Sequence, residues 1–141
     1  MRKLKDRIAI VTGVSRQQGI GTAICRALAK EGANIFFTHW QDYDQMQEYG
    51  ADSDWPERLL KELQQYGVQS ASYSVDLSVV NVQEMMNQIE ASMGTPAILV
   101  NNAYYDRKDG FRNLDEKLLN AHYDVNLKGT LLLSVEFASH F

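Results

Sequence analysis

Residues 8–21, Ile8-Ala9-Ile10-Val11-Thr12-Gly13-Val14-Ser15-Arg16-Gln17-Gln18-Gly19-Ile20-Gly21, run a short β-branched apolar segment straight into a turn bearing three glycines. Four consecutive apolar residues without polar alternation read as a strand buried on both faces. Behind the turn, Ile20, Ala23, Ile24, Ala27 and Leu28 recur at spacings of three and four, and Gly32 stands past the end, where a helix favours positive φ. A buried strand, a glycine turn and an amphipathic helix, in that order, open a βαβ unit.

The same alternation continues outward from this stretch. Asn34 to Thr38 predicts a second strand, and Pro56, Leu59, Leu60, Leu63 and Tyr66, followed by Gly67, predict a second helix. Val68 to Val75 predicts a third strand. Ser78 is the expected N-cap of a helix carrying Val79, Val82, Met86, Ile89 and Met93 on one face, stopped by Gly94 and Pro96. Ala97 to Val100 is the fourth strand. From Leu114 a long final helix is expected, apolar nearly all round over Leu131 to Ala138, the pattern of a helix covered on two sides. Strands of this kind alternating with helices imply an α/β protein, a Rossmann-type doubly wound parallel sheet with right-handed crossovers, forming a single domain over residues 1–141. Phe141 falls inside an apolar helical pattern without a stop signal, and the fourth strand is left with a free edge. The domain is therefore expected to be incomplete, truncated after the fourth strand and the long helix.

Composition narrows the function classes. The 141 residues are 45% hydrophobic and 23% charged, which suits one globular unit and argues against disorder or a fibrous repeat. Eighteen acidic against fourteen basic residues give a net charge of -4 with no basic stripe, so neither nucleic acid nor an anionic membrane is an expected partner. No stretch approaches the ~20 apolar residues of a membrane span, and the apolar run behind the basic N-terminus is too short for a signal peptide. Cys25 has no second cysteine to pair with, and His39, His122 and His140 show no zinc-ligand spacing and no matched carboxylate or serine. A cytoplasmic protein without a metal is expected. Cys25, Met85, Met86 and Met93 read as packing residues.

The glycine turn is the strongest chemical signal. Glycine lets the backbone reverse tightly, approach a pyrophosphate and pack helix on strand, while the helix N-terminus offers unpaired N–H groups to phosphate oxygens. No Gly-Lys-Ser/Thr follows, which excludes a triphosphatase loop, and the spacing is not Gly-x-Gly-x-x-Gly. A ribose 2′-hydroxyl is held by an acid near the end of the second strand, a 2′-phosphate by arginine. The strand ends Phe37-Thr38-His39-Trp40 with no acid, and Arg16 sits within the turn, which favours NADP(H) over NAD(H). The alternative keeps Arg16 as a solvated cation and turns Asp42 or Asp44 back to the ribose. The segment His39 to Trp55 reads as a seventeen-residue acidic and aromatic loop, either a solvated insertion or a lid or partner contact.

The chain resembles the N-terminal part of the short-chain dehydrogenase/reductase family along essentially its whole length. Thr12-Gly13 through Gly19-Ile20-Gly21 resembles the family's T-G-x-x-x-G-x-G with two additional residues, and Asp76-Leu77 resembles its adenine-contacting pair. Asn101-Asn102-Ala103 resembles N-N-A-G with Tyr104 in place of the glycine, a residue expected to crowd the nucleotide unless its loop moves. Asn126, in Val125-Asn126-Leu127-Lys128-Gly129, resembles the Asn of the catalytic tetrad, whose backbone carbonyl holds a water. Ser15-Arg16 is most similar to the NADP-dependent 3-ketoacyl-acyl-carrier-protein reductases. The resemblance implies hydride transfer between a carbonyl and a secondary alcohol, a small-molecule carbonyl or acyl-carrier substrate, and a homo-oligomer through the helix from Leu114. It implies phosphate contacts from Gly13, Ser15, Arg16, Gly19, Ile20 and Gly21, adenine contacts from Asp76 and Leu77, and ribose-side contacts from Asn102 and Ala103.

The family's catalytic Ser and Tyr-x-x-x-Lys follow a fifth strand and do not occur in these residues. Tyr104 and Lys108 match Tyr-x-x-x-Lys but precede Asn126 in a loop, so they are read as coincidence. The isolated chain is therefore expected to bind cofactor without turnover. The alternative is a non-catalytic nucleotide-binding or oligomerisation module, which would assemble with or without NADPH. A methyltransferase would want an acid ending the second strand, and none is there.

Overall fold

Parallel pairing in the order β3-β2-β1-β4 builds one sheet in the computed structural model, which describes residues 2–45, 50–107 and 110–140. The strands are β1 (Ile8–Val11), β2 (Asn34–His39), β3 (Ser70–Ser74) and β4 (Ile98–Val100). The helices are α1 (Ile20–Lys30), α2 (Gln41–Gln45), α3 (Trp55–Gln64), α4 (Val82–Ser92), α5 (Glu116–His122) and α6 (Thr130–His140). Successive side chains of a strand face opposite ways, so β1 and β2 feed two separate cores. Ala9, Val11, Ile35 and Phe37 pack with Cys25 and Ala29 of α1 and Leu59 and Leu63 of α3. Ile10 and Phe36 pack with Met85, Met86 and Ile89 of α4 and Leu133 of α6. Both faces of the sheet are thus covered, as the unbroken apolar strands require.

Several local expectations are corrected. The buried face of α1 is Gly21, Thr22, Cys25 and Ala29, whereas Ala23 and Ala27 are exposed and Ile20 is 74% exposed. Ile24 and Leu28 of the expected stripe do pack against the core, and small residues four apart, Gly21, Cys25 and Ala29, let α1 lie close on the sheet. Ser78 does not cap α4. Its N–H and hydroxyl both donate to Asp76 Oδ1, at 2.9 and 2.7 Å, while Asn81 caps the helix by accepting from Glu84 N at 3.0 Å. Val79 consequently lies outside the helix and is 79% exposed. Strand β3 is shorter than predicted and only half-buried, because it forms the sheet edge.

The final helix is not uniform either. Asp115 caps α5, a π-helical segment spans Tyr123–Gly129, and α6 follows. Leu133 is its buried residue in α6, while Leu127, Leu131, Leu132 and Val135 are about half exposed or more, so one side is covered rather than two. The predicted seventeen-residue loop is interrupted by α2 and ends in a buried Trp55 that begins α3. Glu48 and Tyr49 of that loop, and the side chains of Asp42 and Asp44, lie outside the described residues.

His140, read above as unmatched, joins α6 to α4: its Nδ1 lies 2.9 Å from Glu90 Oε1 and its Nε2 2.8 Å from Glu136 Oε1. Hydrogen bonding to Glu90 first, then to Glu136, raises the imidazole pKa. A raised folded pKa means that this contribution is full below the unfolded value of about 6.5 and fades as pH climbs through the folded value. Thermal melts of the parent and of His140→Gln are expected to differ most below ~pH 6.5 and to converge as pH rises through the raised folded value. A gap that stays constant or widens with pH would refute the linkage.

Candidate functional site

The C-terminal ends of β1, β2 and β4 surround a cleft of about 720 Å³. Its floor is the glycine turn, and hydrogen bonds from both neighbouring strands fix that turn. Thr12, buried, accepts at Oγ1 from Asn102 N at 3.1 Å and Ala103 N at 3.0 Å. Asn102 Nδ2 donates back to Thr12 O at 3.0 Å and Gly13 O at 3.1 Å. On the β2 side, Gly13 N donates to Thr38 Oγ1 at 3.3 Å and Val14 N to Thr38 O at 2.8 Å. Gly13 has φ +74°, and a Cβ there would lie 2.7 Å from Ala103 Cα; one at Gly21 would lie 2.8 Å from Asn102 Nδ2. These two glycines are therefore needed by the protein's own packing, before any ligand is considered.

Ser15 and Arg16, within the turn, have structural partners. Ser15 is buried and accepts at Oγ from Trp40 N at 3.0 Å, tying the turn to the residue after β2. The carbonyl of Arg16 accepts from Gly19 N at 3.3 Å and from the Thr22 hydroxyl. Thr22 Oγ1 in turn accepts from Trp55 Nε1 at 3.0 Å. Trp55 lies beneath the guanidinium groups of Arg58, at 5.0 Å, and Arg26, at 5.6 Å. The tryptophan that sequence reading left in a loop thus anchors the start of α1 and, through it, the turn.

Nine of the predicted residues line the cleft: Gly13, Ser15, Arg16, Gly19, Ile20, Asp76, Leu77, Asn102 and Ala103. Gly21 packs behind the turn. Asn126 does not line the cleft; its side chain accepts from Tyr105 N at 2.7 Å and donates to Tyr105 O at 2.8 Å. This pairing holds the loop after β4 against the π-helical segment, a helix irregularity often found at functional sites. Gly129 brings the same segment close to the opposite wall, since a Cβ there would lie 2.6 Å from Leu77 O. Thr12, Thr38, Tyr43 and Tyr105 are site residues that sequence reading missed. Thr12 stands next to the first glycine, which was a usable signal; the other three are placed by tertiary contacts alone.

The donor set suits a dinucleotide. Gly19 caps α1 without a side-chain hydrogen bond, so the eleven-residue helix presents an uncapped N-terminus toward the cleft where Arg16 also sits. A cleft of this volume falls in the ~300–1,000 Å³ range of small-molecule sites. Glu116, Lys117, Asn120 and Asp124 form the far wall, with Asp124 paired to Lys128 at 3.2 Å. The His39 ring lines the cleft at the end of β2, with Nδ1 enclosed and unpartnered, and burial lowers its pKa, keeping it neutral. Tyr104 is 62% exposed at the cleft mouth. Lys108, the other half of the coincidental Tyr-x-x-x-Lys, lies outside the described residues. Cys25 is wholly buried and its thiol is pushed up to about 12 by desolvation, which makes it unreactive. Among the described residues, no cluster of His, Cys, Asp and Glu could hold a metal, and no helix is long and apolar enough to cross a membrane.

Comparison with known proteins gives a consistent result. The family model described as short chain dehydrogenase matches residues 7–141. An uncharacterized oxidoreductase of Bacillus subtilis, YjdA, is 39% identical over 142 residues, covering 100% of this chain and 53% of the relative. A 3-oxoacyl-[acyl-carrier-protein] reductase of Staphylococcus epidermidis, FabG, is 30% identical across 88% of this chain and 46% of its own. A metagenomic short-chain oxidoreductase solved in complex with NADP superimposes with a TM-score of 0.80 at 29% identity, covering 98% of this chain and 57% of that one. The chain spans about half the length of the curated relatives it matches.

Proposed function

The chain belongs to the short-chain dehydrogenase family, and on that premise we propose that it is the nucleotide-binding part of an NADP(H)-dependent oxidoreductase interconverting a carbonyl and a secondary alcohol. The observation that carries this reading is the convergence of nine residues, chosen by motif from three separate strand ends, on one cleft. When bound, the nicotinamide cofactor supplies the hydride chemistry, and the protein supplies binding and orientation. The open N-terminus of α1 and the backbone of the glycine turn hold the pyrophosphate, while Asp76 and Leu77 face the adenine. Asn102 works indirectly, since its amide is committed to the turn. Asn126, with its side chain committed to Tyr105, acts through its main chain. The similarity to a 3-oxoacyl reductase supports an acyl-carrier or other ketone substrate, and the single buried cysteine suits a reducing, cytoplasmic setting. The exposed leucines of the last helix support a second reading, self-association of a binding module.

The preference for a 2′-phosphate rests on Arg16 and on the absence of an acid in Thr38-His39-Trp40. Arg16→Ala is expected to weaken NADPH binding roughly tenfold or more, the worth of a charged hydrogen bond, and to leave NADH binding nearly unchanged. Equal losses for both cofactors in a fluorescence titration would overturn that assignment.

A further inference from the structure

Three aromatic rings meet at the mouth of the cleft. Tyr43, on α2, lies with its ring 6.4 Å from that of Tyr104 and 5.6 Å from that of Tyr105. Its hydroxyl donates to Asp106 O at 3.4 Å and accepts from Asp106 N at 3.2 Å. The loop it reaches is secured from the other side, where Tyr105 meets His122 edge-on at 5.0 Å and Asn126 holds the Tyr105 backbone. The position of this contact in the fold matters most. Helix α2 follows β2, the loop of Tyr104 to Asp106 follows β4, and β1 lies between those two strands. A bridge from one to the other passes over the end of β1, where the glycine turn forms the cleft floor.

We propose that Tyr43 is a positioning residue that straps the cleft shut over a nucleotide lying along the glycine turn, so that the cofactor enters and leaves only when the Tyr43–Asp106 pair opens. This rests on the reading of the cleft as a dinucleotide site. Tyrosine suits the task because its rigid ring packs on Tyr104 and Tyr105 at little entropic cost while the hydroxyl provides the fastening. Both hydrogen bonds run to backbone atoms of Asp106, whose carboxylate lies 3.9 Å from His122 Nε2. It also explains how the segment after β2, read above as a solvated insertion or a lid, reaches across the cleft.

The test is the kinetics of NADPH binding to this chain, followed by stopped-flow fluorescence, in the parent, Tyr43→Phe and Tyr43→Ala. Loss of two solvent-accessible hydrogen bonds in Tyr43→Phe is expected to speed association and dissociation alike, by about fivefold, with the Kd changed less than about twofold. Tyr43→Ala, which also loses the ring contacts, is expected to be at least as fast. Hydrogen exchange at the Asp106 amide is expected to accelerate in Tyr43→Phe, a change that general loosening of the fold would spread over many amides. Unchanged rates in both variants overturn the strap, and so does faster dissociation with unchanged association, which would make the hydroxyl a direct ligand contact. If Tyr43→Ala fails to fold, Tyr43→Phe, which keeps the ring, decides alone. Failure of the parent to bind either NADPH or NADH overturns the cofactor reading itself, and the strap with it.

Discussion

Gly13→Ala is expected to remove about 2–5 kcal/mol of stability and most of the affinity for NADPH. Two costs combine at this position. The backbone sits at φ +74°, where an L-residue loses about 1–2 kcal/mol relative to glycine. The new Cβ would also lie 2.7 Å from Ala103 Cα and 2.9 Å from Ala103 N, which are backbone atoms that cannot swing aside. Relief requires the glycine turn and the loop after β4 to separate, and these two segments form the cleft floor. Denaturant melts and NADPH titration should therefore fail together. A variant of parental stability that still binds NADPH would show that the turn has more freedom than this geometry allows.

Thr12→Val is expected to follow, at roughly 1–3 kcal/mol, although valine matches threonine in shape. The hydroxyl oxygen of Thr12 receives both Asn102 N and Ala103 N, and valine leaves Ala103 N without an acceptor and Asn102 N with only its 3.1 Å bond to Val100 O. Those donors belong to the loop that carries Asn102 and Ala103 into the cleft, so NADPH affinity should fall with stability. Thr12→Ser keeps the oxygen and gives up only a methyl group, so it should lie much nearer the parent. Equal midpoints for the valine and serine variants in urea would mean that the hydroxyl is not what fixes the loop.

The burial of Ile8 to Val11 on both faces, the positive φ at Gly32, Gly67 and Gly94, and Pro56 at the start of α3 all follow from local rules and all appear in the structure. The α/β class and the doubly wound sheet follow from the same alternation. The cap of α4 went wrong because Ser78 and Asn81 are both good candidates, and only the turn made with Asp76 decides between them. On α1, Ile24 and Leu28 pack on the core as hydrophobicity suggests, but Ile20 does not, because packing on a sheet selects the residue without a side chain at Gly21.

The sequence by itself determined the order of strands and helices, the glycine turn and its likeness to a nucleotide site, because backbone preference and hydrophobic period are properties of neighbouring residues. Tertiary structure alone decided how that turn is held and closed. Thr12 and Asn102 are ninety residues apart, Thr38 reaches Gly13 from the adjacent strand, and Tyr43 meets Asp106 across the cleft. Such pairs have no period to read. They exist because β1 lies between β2 and β4, and that ordering of the sheet brings three distant loops within hydrogen-bonding distance of one another.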